Sequence, residues 1–181
     1  MPFFCNAAAS AGDWWGVAPE PTDWPTLVRD HTPRLWAVAV RLVSHEADAA
    51  DCVQHAFLDA LRLTGVRDWS AALVRLTTAR SLDCLRKRYR QAKRFAPLDF
   101  DPPAATPDGD LADALRHALT TLDPVPAELV ALVYLEGWAV ADAATQVGVT
   151  ANHAGVLLHR ARASLRGTLT AFDPTPGVHR E

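Results

Sequence analysis

Cysteine is scarce: Cys5, Cys52 and Cys84 are the three in 181 residues. The number is odd and no CxxC or Cys/His spacing occurs, which argues against a disulfide framework and a zinc ligand set. No metal or cofactor is expected, and a reducing, cytoplasmic setting suits the free thiols. No apolar run approaches the roughly 20 residues that span a bilayer, so membrane insertion is not expected. The start, MPFFCNAAASAGD, has no basic n-region and its apolar core is broken by Asn6, so it does not read as a signal peptide. An excess of one charge is also missing, since 18 basic residues face 21 acidic ones for a net charge of −3. The chain as a whole therefore has no bias toward nucleic acid. No internal repeat or low-complexity tract appears. A catalytic constellation is absent as well. Cys52 and His55 lie three apart on one helix face but lack an orienting third group. The pair reads as structural, with Cys52 buried and His55 solvated, and the protein is not expected to be an enzyme.

What is present is a globular composition, 49% hydrophobic, which is enough for one ordinary domain or two small ones. The most informative stretch is Trp138 to Gly167. It parses as a short helix to about Gln146, a turn containing Gly148, and a longer helix opening at Thr150, the sequence shape of a helix-turn-helix. Thr150 has the chemistry of an N-cap. Ala154, Leu158, Ala161 and Leu165 recur at helical spacing and define a buried stripe. The opposite face carries Asn152, Val156, His159 and Arg160, flanked by His153, Arg162 and Arg166, groups that can meet base edges and phosphates. A helix-turn-helix by itself also occurs as a plain packing corner.

Taken in order, residues 1–22 read as an Ala/Gly/Pro-rich tail whose Trp14 and Trp15 dock on the body or contact a partner, with docking favoured. Asp23 before Trp24-Pro25 is a helix start, and an apolar face from Leu27 to Val43 follows, with a kink or restart expected at Pro33. Ser44 is expected to cap the next helix, in which Val53, Phe57, Leu58 and Leu61 form the core face. Its other side, Asp48, Asp51, Gln54, His55 and Asp59, is an acidic surface. After a turn at Thr64-Gly65, a third helix is expected from Asp68 to about Lys93, burying Trp69, Leu73, Leu76, Leu82 and Leu85. Between Arg75 and Arg94 it carries eight basic residues against one acid, Asp83. That excess exceeds what helix capping needs and favours a polyanionic partner. Residues 96–113 hold four prolines and five aspartates and read as an extended acidic linker. Helices from Leu111 to Leu122 and from Pro126 to Glu136, with the helix-turn-helix, complete a second unit, and residues 171–181 form a C-terminal tail. The fold class is all-α, two small helical domains at 23–95 and 114–170.

In this order and spacing the chain resembles the extracytoplasmic-function group of sigma-70 family sigma factors, over about Trp24 to Leu169. The resemblance rests on DAADCVQHAFLDALR (48–62), RSLDCLRKR (80–88), LTTLDPVPAELVALVYLEGW (119–138) and GVTANHAGVLLHRARASL (148–165), of which LHRARASL is the most specific. It implies a sigma factor that binds core RNA polymerase and promoter DNA to start transcription, with room for an anti-sigma partner. By the same resemblance Asp48, Asp51, Gln54, His55 and Asp59 would dock on core polymerase. Arg80, Arg86, Lys87, Arg88 and Arg90 would hold the -10 region. Asn152, His153, Val156, His159 and Arg160 would face the -35 element, with Arg162 on phosphate. Three features depart from the family pattern. The loop Leu63 to Asp68 is short for capturing a flipped base, Ala72 replaces an aromatic although Trp69 lies one turn earlier, and Gly155 and Leu157 occupy positions commonly Lys and Arg. A helix-turn-helix regulator or a helical interaction module that does not act with core polymerase is the competing reading.

Overall fold

The computed structural model describes residues 23–95 and 111–169, which contain seven α-helices and no strand. The first unit is three helices. α1 (Trp24–Val43) starts where Asp23 accepts a hydrogen bond from the Thr26 amide at 3.4 Å and Pro25 fills the first turn. Pro33 neither ends nor restarts it, because Pro33 and Arg29, whose carbonyl loses its amide partner, both sit on the exposed face. Water can satisfy that carbonyl. Ser44 ends α1 in the left-handed conformation (φ 54°), its amide returning to the Val40 carbonyl. It therefore closes one helix rather than opening the next. His45, extended and without a side-chain cap, precedes α2 (Glu46–Ala60).

α2 buries a narrower face than its large apolar residues suggest. Ala49, Cys52, Val53, Ala56 and Ala60 pack inward, Phe57 is partly covered, and Leu58 and Leu61 are more than half exposed. Three alanines on the inner face let the helix sit close to its neighbours, so Leu58 and Leu61 are turned outward. α3 (Trp69–Phe95) opens on Asp68, which accepts from the Ala71 amide at 2.9 Å. Leu73, Val74, Leu82 and Leu85 are buried along it, Leu76 and Trp69 partly so, and Trp69 meets Trp24 edge-on at 5.4 Å.

The second unit begins at Leu111, so the first turn of α4 (Leu111–Thr121) occupies the last three residues of the stretch read as linker. α5 (Pro124–Val130) runs into a π-helical turn, Ala131–Leu135, closed by the Glu136 amide on the Ala131 carbonyl. Gly137, at φ +74°, then redirects the chain. α6 (Val140–Val147) ends at Gly148, whose left-handed φ of +84° sets the turn into α7 (Ala151–Thr168). Thr150 caps α7 by accepting from the His153 amide at 3.2 Å, and Ala154, Leu158, Ala161 and Leu165 are buried.

α3 belongs to both units. It packs on α1 and α2 with one side and on α4, α5 and α6 with another, and the buried residues of the two halves form one continuous cluster. Each fully buried leucine in that cluster contributes roughly 1.5–3 kcal/mol over its exposed state. Polar contacts line the seam. Arg75 Nε donates to Glu128 Oε1 at 2.8 Å, Arg41 Nη1 donates to the Leu135 carbonyl at 2.8 Å and to Glu136 Oε1 at 2.7 Å, and Tyr89 stacks near His117 at 5.0 Å. The readings of Trp14 and Trp15, of linker residues 96–110 and of the tail from residue 170 lie outside the described residues.

Candidate functional site

Three charged or polar surfaces stand out, and the structure treats their members differently. On α2, Asp51, Gln54 and His55 are exposed, as expected for one face at spacings of three and four. His55 Nδ1 lies 2.7 Å from the Asp51 carbonyl, which holds the ring along the helix. Asp48 is half-buried, 3.8 Å from Arg88 and 4.0 Å from His45. Asp59 is partly buried and accepts from Arg80 Nε at 2.6 Å. Asp59 and Arg80 thus neutralise each other between α2 and α3 in this arrangement.

The basic half of α3 divides in the same way. Lys87, Arg88 and Arg90 are exposed and form the open part of the surface. Arg86 is largely covered: its guanidinium reaches Asp83 at 3.2 Å and the Leu122 carbonyl of α4 at 3.5 Å. The sequence offered no sign of this, because its cover comes from a segment 36 residues away.

On α7 every expected residue, Asn152, His153, Val156, His159, Arg160 and Arg162, is exposed. Ala151, Asn152, Gly155, Val156, His159 and Arg160 line an open, shallow depression on this outer face. The buried stripe on the reverse side docks α7 on α5 and α6 and fixes which residues point outward. Arg160 and Arg162 make this face basic, and Asn152 adds a side-chain amide with both donor and acceptor capacity.

Cys52 is buried and His55 exposed, as read from the sequence. Cys52 is 4% exposed, and burial pushes its thiol up to about 12, with the neighbouring Cys84 adding to the effect. Burial likewise raises Cys84. Thiolate chemistry is suppressed at both. Among the described residues no His/Cys/Asp/Glu group could hold a metal, and no helix is long and apolar enough to cross a membrane.

A three-helix unit followed by a helix-turn-helix defines the class by shape alone: an all-helical protein of two small units. Comparison with known proteins narrows it. Residues 27–91 match sigma-70 region 2 and residues 112–165 match sigma-70 region 4. The ECF RNA polymerase sigma factor SigM of Mycobacterium tuberculosis is 33% identical over 161 residues, covering 85% of this chain and 81% of SigM. SigE of Mycolicibacterium smegmatis is 31% identical over 159 residues, covering 81% of this chain but 61% of SigE, so the chain spans under two thirds of that relative. Among solved structures, the sigma factor RpoE of Bartonella quintana, determined in complex with the anti-sigma factor NepR, superposes with a TM-score of 0.51 at 25% identity, over 82% of this chain and 97% of RpoE. The chain belongs to the extracytoplasmic-function sigma factors of the sigma-70 family.

Proposed function

We propose that this protein is the promoter-specifying partner of bacterial core RNA polymerase, acting in the cytoplasm and leaving all catalysis to the polymerase. The observation that carries this reading is the presence in one chain, in family order, of a region 2 unit with an exposed acidic helix face and a region 4 unit with an exposed basic one. Asp51, Gln54 and His55, with Asp48 and Asp59 at the margins, dock on the polymerase. Lys87, Arg88 and Arg90 hold the -10 region, and Arg80 and Arg86 join them when their internal partners are released. Asn152, His153, Val156, His159 and Arg160 read the -35 element, and Arg162 contacts phosphate. An anti-sigma factor, of the kind bound to the RpoE relative, is a further partner. A regulator that binds DNA without polymerase has no use for the acidic face of α2, which weighs against that reading.

The test is co-purification with core polymerase, followed by sequencing of the transcripts made when this protein is added. New start sites with a shared upstream motif are expected. Promoter binding that is equally tight without core polymerase would sink the proposal.

A further inference from the structure

Gly155 sits in the middle of α7, where glycine is a poorer helix former than alanine. Packing does not demand it: a Cβ built there meets no atom within 4 Å apart from its chain neighbours and the backbone of its own helix. Its φ is not positive either, so the backbone does not require it. Beside it Val156, 43% exposed, is the bulkiest apolar side chain of a depression that also holds Asn152, His159 and Arg160. The two residues line one shallow depression together with Ala151, Asn152, His159 and Arg160. A stability cost and an exposed apolar group at one spot, with no internal explanation for either, point outward to a ligand.

Resting on the reading of α7 as the -35 helix, we infer that Gly155 and Val156 form an apolar notch that receives the C5-methyl group of a thymine in the major groove. Thymine is the base that presents a methyl there, and apolar side chains are its usual contact. The missing side chain at 155 lets the backbone approach the base edge closely. Asn152 and Arg160 lie four residues to either side of Val156, about 6 Å each way along the helix. The three positions therefore span roughly three to four base pairs at about 3.4 Å per step, with the methyl contact in the middle. Gly155 is on this reading a specificity determinant, not a defect of the recognition helix.

The experiment uses holoenzyme reconstituted from core polymerase and the full chain, on a promoter found by transcript sequencing. Each thymine of the upstream element is replaced in turn by deoxyuridine, which removes only the methyl group. One replacement is expected to weaken promoter binding about fourfold, the effect of exposing one buried methyl. That loss should vanish in Val156→Ala and in Gly155→Leu. Gly155→Leu should also raise the melting temperature, so its altered binding cannot come from unfolding. If no single replacement affects the wild type more than Val156→Ala, or if Gly155→Leu keeps the full methyl effect, the notch assignment is wrong while upstream binding stands. If scrambling the whole upstream element changes nothing, the -35 reading of α7 falls, and this inference with it.

Discussion

Arg75 on α3 and Glu128 on α5 meet at 2.8 Å across 53 residues of chain, and Glu128 is the one charged residue buried among the described residues. The pair joins the two domains at a point where neither sequence neighbourhood hints at a partner. Burial raises the Glu128 carboxyl above its usual 4.5, and the charge and hydrogen bond of Arg75 act against that rise. A carboxyl whose native value lies above the unfolded one binds its proton more tightly when folded. Stability is therefore lost as pH rises from about 4.5 through the native value.

Arg75→Ala removes the compensating charge and should destabilise the protein by about 1–3 kcal/mol, the cost of stranding a buried polar group. The loss should be larger at pH 8 than at pH 5, and Glu128→Gln in the same background should flatten the difference. Urea midpoints of the single and double variants at the two pH values measure both effects.

Thr77 and Thr78 are fully buried on α3, and neither hydroxyl has a hydrogen-bond partner. An unsatisfied buried hydroxyl costs about 1–3 kcal/mol, whereas a methyl of the same shape costs nothing in hydrogen bonding. Thr78→Val should therefore raise stability by about 1 kcal/mol. A melting temperature equal to or below the wild type's would show that the hydroxyl is satisfied in solution.

Cys52, with its thiol pushed up to about 12, should resist alkylation at pH 8 in the folded protein. Iodoacetamide labelling read by mass spectrometry should show slow modification at Cys84, almost none at Cys52, and rapid modification of both in urea. Fast native labelling of Cys52 would show that α2 and α3 separate readily.

Asp51 is exposed on α2, on the side away from the buried Ala49, Cys52, Val53 and Ala56. Asp51→Lys should leave the circular dichroism spectrum unchanged and the stability within about 0.5 kcal/mol of the wild type's, as for other surface substitutions. It should abolish co-purification with core polymerase. Retained affinity would remove Asp51 from the docking surface.

The register of α7 was legible because its signals agree: a Thr150 cap, a buried stripe at spacings of three and four, and polar residues opposite. Asp23-Trp24-Pro25 and Asp68 announced α1 and α3 by the same local chemistry. The core face of α2 was less legible. Leu58 and Leu61 are the bulkier residues, yet Ala49, Ala56 and Ala60 do the packing, and which face wins depends on how closely α1 and α3 approach. Ser44, expected to open α2, closes α1 instead, because its backbone takes the left-handed conformation. Arg86 and Arg80 looked like two more members of a basic run. Their partners, the Leu122 carbonyl and Asp59, are set by tertiary packing that no sequence window contains.

The alanines of α2 have a consequence beyond the core. Ala49, Ala56 and Ala60 have no exposed surface, so a larger side chain at any of them must lever the whole helix away from α1 and α3. Asp51, Gln54 and His55, carried on the opposite side of the same rigid rod, would be displaced with it. The smallest and least reactive side chains of α2 thus act as its gauge blocks, setting the height at which its acids stand.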